Sequence, residues 1–169
     1  MHKSYLFEHL DEAQKQEILS VSVWKTYEKG EYIFHQDAEP YALYVLGHGQ
    51  ICVCDDSADG EKNILTIISE AGDCFGEVYV LLNMKFPFYA QAMKKSEVLL
   101  IPREVVTTNV AISHYLNILL SQKAYTLSQK LKLMMKDTMR EKILVYMEQH
   151  PVNIKRYEMA SYLGVSRPA

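Results

Sequence analysis

The sequence predicts an α+β protein in which a β-sandwich or barrel is followed by a long helix and a small helical tail. Three observations carry this. Six of the seven glycines, Gly30, Gly47, Gly49, Gly60, Gly72 and Gly76, fall between positions 30 and 76. Around them lie short runs rich in β-branched and aromatic residues, the composition of strands. From Arg103 to His150 there is neither glycine nor proline, and the apolar residues take up helical spacing.

The strand candidates, in order, are 31–34, 41–46, 50–54, 63–68, 88–93 and 96–101. They are too short and too closely spaced by turn residues for βαβ units. Asp59-Gly60, between the third and fourth runs, is a hairpin signal. In the helical stretch, Leu116, Leu120, Ala124, Leu127, Leu131 and Met134 form one narrow apolar stripe flanked by Gln and Lys. A thin seam of this kind suits a helix–helix homodimer, while a helix lying on the β domain is the competing arrangement. A second amphipathic helix spans about Met139 to Gln149 and ends before Pro151, and residues 154–163 form a third, closed by Gly164.

The chain has 169 residues, 49% of them hydrophobic, enough for a packed core. No apolar run reaches the roughly 18 residues needed to span a bilayer. The N-terminus Met1-His2-Lys3-Ser4-Tyr5 lacks the apolar segment of a signal peptide, so a cytoplasmic location without membrane contact is expected. The net charge of −3 is unevenly spread. Residues 1–122 carry nine Lys and Arg against seventeen Asp and Glu, a balance of −8; residues 123–169 carry nine against four, a balance of +5. An acidic body with a basic tail fits nucleic-acid binding at the tail, and equally a tail that is merely solvated.

Lys29-Gly30-Glu31-Tyr32-Ile33-Phe34, then Tyr44-Val45-Leu46-Gly47-His48-Gly49-Gln50-Ile51, resembles the cyclic-nucleotide-binding jelly roll. Phe75-Gly76-Glu77 falls where that fold keeps its phosphate-binding cassette. Arg140-Glu141-Lys142-Ile143-Leu144 and Ala160-Ser161-Tyr162-Leu163-Gly164-Val165-Ser166-Arg167 resemble the tail of bacterial CRP/FNR regulators. The resemblance covers nearly the whole chain. It implies a double-stranded β-helix (jelly-roll) effector domain at 1–107, a dimerisation helix at 108–137, and an incomplete winged-helix or helix-turn-helix DNA-binding domain at 138–169. It also implies DNA, a second copy, a small-molecule effector and RNA polymerase as partners.

Helix, sharp turn at Gly164 and a new helix opening at Ser166-Arg167 make a helix-turn-helix arrangement. The second helix would enter the major groove, with Ser166 bonding a phosphate and Arg167 reading guanine O6 and N7. The chain stops at Pro168-Ala169, one turn into that helix, whereas the family continues. A truncated form with impaired DNA binding is therefore expected.

In nucleotide-binding members of the family, amides after Phe-Gly-Glu and a downstream arginine grip the cyclic phosphate, and the glutamate bonds the ribose. The resemblance carries the effector site onto Gly76, Glu77 and Val78, the segment Lys85-Phe86-Pro87-Phe88-Tyr89, and Lys123, Leu127 and Ser128 of the long helix. Counting back from Ala90-Gln91-Ala92, the arginine slot is Phe86 and the following serine slot is Pro87. A buried phosphate without a matching cation is costly, and the neighbouring Lys85 lacks a guanidinium's bidentate fork. Weak or absent cyclic AMP binding is expected. The aromatic residues suit an apolar or aromatic effector, or a pocket filled by its own side chains; the effector itself is unknown from sequence.

Other chemistry finds little support. Cys52 and Cys54 sit two apart on a strand, hence on one face, with Cys74 elsewhere; the default is buried small hydrophobes, with a thiol switch as the alternative. Oxygen-sensing relatives hold an iron–sulfur cluster through four cysteines, mostly near the N-terminus; here the first fifty residues have none. The six histidines show no metal-ligand spacing, and nucleophile elbow, P-loop and helical His-Glu-x-x-His are absent from the sequence. The expectation is a dimeric DNA-binding regulator and not an enzyme. A regulatory module of a kinase or channel, with the same jelly roll but no Leu-Gly-Val-Ser-Arg tail, is the alternative.

Overall fold

The computed structural model describes residues 6, 10–56, 62–135 and 138–149, the side chains of 145–149 excepted. The chain divides into two compact units, Met1–Leu119 and Leu120–Ala169. The division falls inside the helix that the sequence reading assigns to dimerisation.

The first unit opens with α1 (Glu12–Val21), a helix the strand-oriented reading passed over. Its start is a capping box: Asp11 Oδ1 accepts from the Gln14 amide at 2.8 Å, and Gln14 Oε1 accepts from the Asp11 amide at 3.0 Å. Among the described residues eight strands follow: β1 (Val23–Tyr27), β2 (Tyr32–Phe34), β3 (Ala42–His48), β4 (Ile51–Asp56), β5 (Lys62–Ile68), β6 (Cys74–Phe75), β7 (Tyr89–Ala92) and β8 (Ser96–Pro102). They form two antiparallel four-stranded sheets, ordered β1-β8-β3-β6 and β2-β7-β4-β5. Short helix α2 (Glu77–Leu82) links β6 to β7. β1 and β6 escaped the sequence reading, the first because it is an edge strand with four exposed residues, the second because it is two residues long.

Strand alternation sorts side chains into layers. On β3, Tyr44 and Leu46 face the space between the sheets, while Leu43 and Val45 face a second core. β8 does the same, with Val98 and Leu100 inward and Leu99 and Ile101 outward. The second core is completed by Leu6, Leu10 and Ile18, by Val80 and Val106, and by Ile112, Tyr115, Leu116 and Leu119. Each such fully buried aliphatic side chain contributes about 1.5–3 kcal/mol. The jelly-roll reading of this unit agrees with the topology.

A short helix precedes the long one expected at 108–137, and the two meet at Asn109. α3 (Arg103–Thr108) ends there, and α4 (Val110–Met134) begins with the Asn109 Oδ1 accepting from the Ile112 amide at 3.0 Å. Asparagine is a strong N-cap, a signal that a search for Gly and Pro alone misses. In the second unit, α5 (Met139–Gln149) matches the sequence boundaries and starts from Thr138, whose hydroxyl accepts from the Glu141 amide at 3.2 Å. The third helix, at 154–163, and the tail residues Ser166 and Arg167 lie outside the described residues, as does the Asp59-Gly60 turn; β4 and β5 on either side of that turn do pair antiparallel.

Candidate functional site

Two loops and a short helix build the site at the aromatic end of the first core. Phe75 ends β6, and Gly76 turns the chain in a left-handed conformation (φ 77°) to become the N-cap of α2. Only glycine takes this φ without strain. Glu77 opens α2 and is buried. Asn83, also left-handed at φ 54°, closes the helix, and residues 84–88 return toward β7.

That return is pinned to the β2–β3 loop. The Asp37 amide donates to Phe86 O at 2.8 Å, and the Phe86 amide donates to Ala38 O at 3.2 Å. Lys85 reaches outward to Glu39 at 3.4 Å, with both side chains more than half exposed. The pinning turns Phe86 inward, where it is fully buried. Its ring stacks on Phe34, 3.9 Å between centroids and 16° between planes. Tyr79 lies 5.6 Å away, and Tyr44 and Phe88 lie 6.2 Å away. A Cβ added to Gly76 would stand 3.2 Å from the Phe86 ring. The aromatic ring thus rests directly against the glycine at which β6 turns into α2.

The electrostatics follow from this filling. Among the described residues the buried polar or charged side chains are Glu77 and Ser96, so no buried cation stands near the turn. A phosphate placed there would be desolvated without a counter-charge, beside a carboxylate. The Tyr27 and Tyr44 hydroxyls are buried with no hydrogen-bond partner. Burial, reinforced by the neighbouring Tyr41, pushes the Tyr27 phenol up to about 12 and raises that of Tyr44 as well. Both therefore stay neutral.

The structure brings together part of the set read from sequence. Gly76, Glu77 and Phe86 converge, with Phe88 half-buried at the edge. Val78 and Pro87 are exposed, and Lys85 points to Glu39. Tyr89 does not pack with Phe86. Ala90 and Ala92 face the aromatic core, whereas Tyr89 packs with Cys52 and Cys54 on the opposite face of the sheet. There its hydroxyl donates to Asp56 Oδ1 at 2.9 Å. Phe34, Tyr44 and Tyr79 belong to the cluster and were not singled out from sequence; Phe34 and Tyr44 are inward positions of alternating strands, the signal that could have found them.

In the second unit Lys123, Leu127 and Ser128 are exposed positions on α4. Of the proposed dimer stripe, Leu116 is buried within the first unit's own core and is not free to meet a second copy. Leu120 is half-buried, while Ala124, Leu127, Leu131 and Met134 are exposed. No described helix is long and apolar enough to cross a membrane.

Residues 24–110, more than half of the chain, match the cyclic nucleotide-binding domain, and the chain belongs to that family. It is 30% identical over 99 residues to the cGMP-dependent 3′,5′-cGMP phosphodiesterase A of Dictyostelium discoideum; the match takes in 59% of this chain but only 11% of that protein. In fold it is similar to the Thermus thermophilus catabolite activator protein, with a TM-score of 0.68 and 23% identity over 95% of this chain and 80% of that one. It is also similar to the sensor domain of the transcriptional regulator DNR from Pseudomonas aeruginosa, with a TM-score of 0.64 and 24% identity over 79% of this chain and 89% of that one. The first unit is a cyclic nucleotide-binding-like ligand-sensing module.

Proposed function

We propose that this member of the cyclic nucleotide-binding domain family is a dimeric, DNA-binding transcription regulator whose effector is not cyclic AMP, and that it catalyses no reaction. The observation that carries the effector reading is the fully buried Phe86 ring, stacked on Phe34 and resting against Gly76. An aromatic ring where a cation should meet phosphate favours an uncharged, apolar or aromatic effector. The regulator reading is supported by the Leu163-Gly164-Val165-Ser166-Arg167 tail, the basic balance after residue 122 and the exposed stripe of α4. A sensing module that does not bind DNA is the second reading, favoured by the match to a much longer phosphodiesterase.

Isothermal calorimetry with cyclic AMP tests the effector reading directly. The expected result is no saturable heat at micromolar nucleotide, and low-micromolar binding at one site per chain would overturn it. A gel shift on a two-fold-symmetric duplex, run with a form extended to a full second helix, tests the DNA reading. Binding should fall steeply with salt, and Arg167→Ala should relax preference at one base pair per half-site. Unchanged sequence preference in that variant would remove the recognition role.

A further inference from the structure

We propose that a cleft on the outside of the first unit, between Tyr41 and Arg103, binds a small zwitterion, namely a free α-amino acid with an apolar side chain. The cleft has a volume of about 290 Å³ and is separate from the aromatic interior. That size is at the lower end of small-molecule sites, roughly 300 Å³ and upward.

Arg103 is the positive element, and the fold holds it in place. Its backbone amide donates to Tyr41 O at 2.9 Å, and its Nε donates to Val80 O at 2.9 Å. With Nε occupied, the two Nη groups remain available, and among the described residues they meet no ion pair within 4 Å. A guanidinium anchored in this way presents a fork suited to one carboxylate.

The other charges lining the cleft exclude a simple anion. Glu104 follows Arg103 and carries no ion pair among the described residues, and Glu39 lies on the facing loop, paired with Lys85 at 3.4 Å. A plain anion would meet two carboxylates; a plain cation would meet Arg103. A molecule with both charges a few ångströms apart satisfies the whole set: carboxylate to Arg103, ammonium to Glu104 and Glu39. Asn83 adds one neutral polar wall, and the rest of the lining is largely apolar. Pro40 and Pro102 line the cleft, and the Tyr41 ring is 58% exposed there while meeting Tyr44 edge-on at 6.2 Å. Such a surface suits an aliphatic or aromatic side chain. Because the charges are solvent-exposed, affinity in the millimolar range is expected.

The test is a ¹H–¹⁵N NMR titration of the full chain with L-leucine, L-methionine and L-phenylalanine, alongside N-acetyl-L-leucine and L-leucinamide. At least one free amino acid should give saturable shifts at Tyr41 and Arg103 below about 10 mM. The acetylated and amidated forms, each lacking one charge, should bind at least about tenfold more weakly. Arg103→Lys should weaken the amino acid and the acetylated form alike. Glu104→Gln, an exposed change that leaves the Nε anchor intact, should weaken the free amino acid and L-leucinamide but not the acetylated form. Absence of saturable shifts with all three amino acids, or equal binding of the one-charge derivatives, overturns the proposal. Neither outcome bears on the cyclic AMP experiment, which concerns the interior.

Discussion

The Phe86 ring lies parallel to that of Phe34, 3.9 Å between centroids, and its backbone is tied on both sides to residues 37 and 38 of the β2–β3 loop. One side chain thus fills the jelly-roll interior while its own peptide groups fasten the lid of that interior. Phe86→Ala removes a fully buried ring from a cluster that cannot collapse around the gap. It should cost about 3–5 kcal/mol in denaturant unfolding. A loss below about 1 kcal/mol would show that the ring is not packed as described.

Two left-handed glycines should respond differently to the same change. Gly30 (φ 89°) has open space where a Cβ would go, so Gly30→Ala carries only the backbone cost, about 1–2 kcal/mol. At Gly49 (φ 115°) the Cβ would lie 2.6 Å from the Ser96 Cα, on a buried residue whose hydroxyl accepts from the Gln50 amide at 3.0 Å. Gly49→Ala should therefore lose clearly more stability than Gly30→Ala, about 1–3 kcal/mol beyond it. Equal thermal midpoints for the two variants would contradict this.

Exposed Leu127 and Leu131, four residues apart on α4, are the apolar side chains that a second copy would cover. Changing both to Glu places like charges in a symmetric seam. Sedimentation should show a dimer for the parent and a monomer for the double variant at the same concentration. A variant that dimerises as tightly as the parent would exclude this face.

Alkaline pH should unfold the protein through its buried phenols. The folded state holds the Tyr27 proton to about pH 12, whereas an unfolded tyrosine releases it near 10. Between those values the unfolded chain binds fewer protons, so stability is fully present below pH 10 and falls as pH rises through the window, by up to about 1.4 kcal/mol per unit for each such group. Tyr27→Phe should flatten that fall, and near neutrality it should cost little, because the hydroxyl it removes has no partner. Urea midpoints at several pH values check both statements.

All three cysteines are buried, and burial, followed by the neighbouring Cys52 thiol, pushes Cys54 up to about 11. Thiolate is the reactive form, so Ellman's reagent at pH 8 should label none of them rapidly until denaturant is added. Fast labelling of Cys52 or Cys54 in the native protein would revive the thiol-switch reading.

Six of the strands were legible because each carries its own signal, whereas β1 and β6 carry none. Continuous apolar runs such as Leu43 to Leu46 and Val98 to Ile101 mark strands buried on both faces, which the structure divides between two cores. α5 was legible in its approximate bounds, since Pro151 limits one end; the Thr138 cap at the other end is seen in the structure. The departure at position 86 from a phosphate-binding pattern could also be read directly, as a phenylalanine where a cation is needed. What a linear pattern could not decide is where that phenylalanine goes. Lys85, Phe86 and Tyr89 look equivalent along the chain, yet one pairs outward with Glu39, one fills the core and one faces the opposite side of the sheet. The stripe on the long helix is likewise uniform in sequence, although Leu116 belongs to the first unit's core and Leu127 is exposed. Periodicity is a property of one element, whereas burial depends on which second element arrives opposite it, and that is set only when the chain closes on itself.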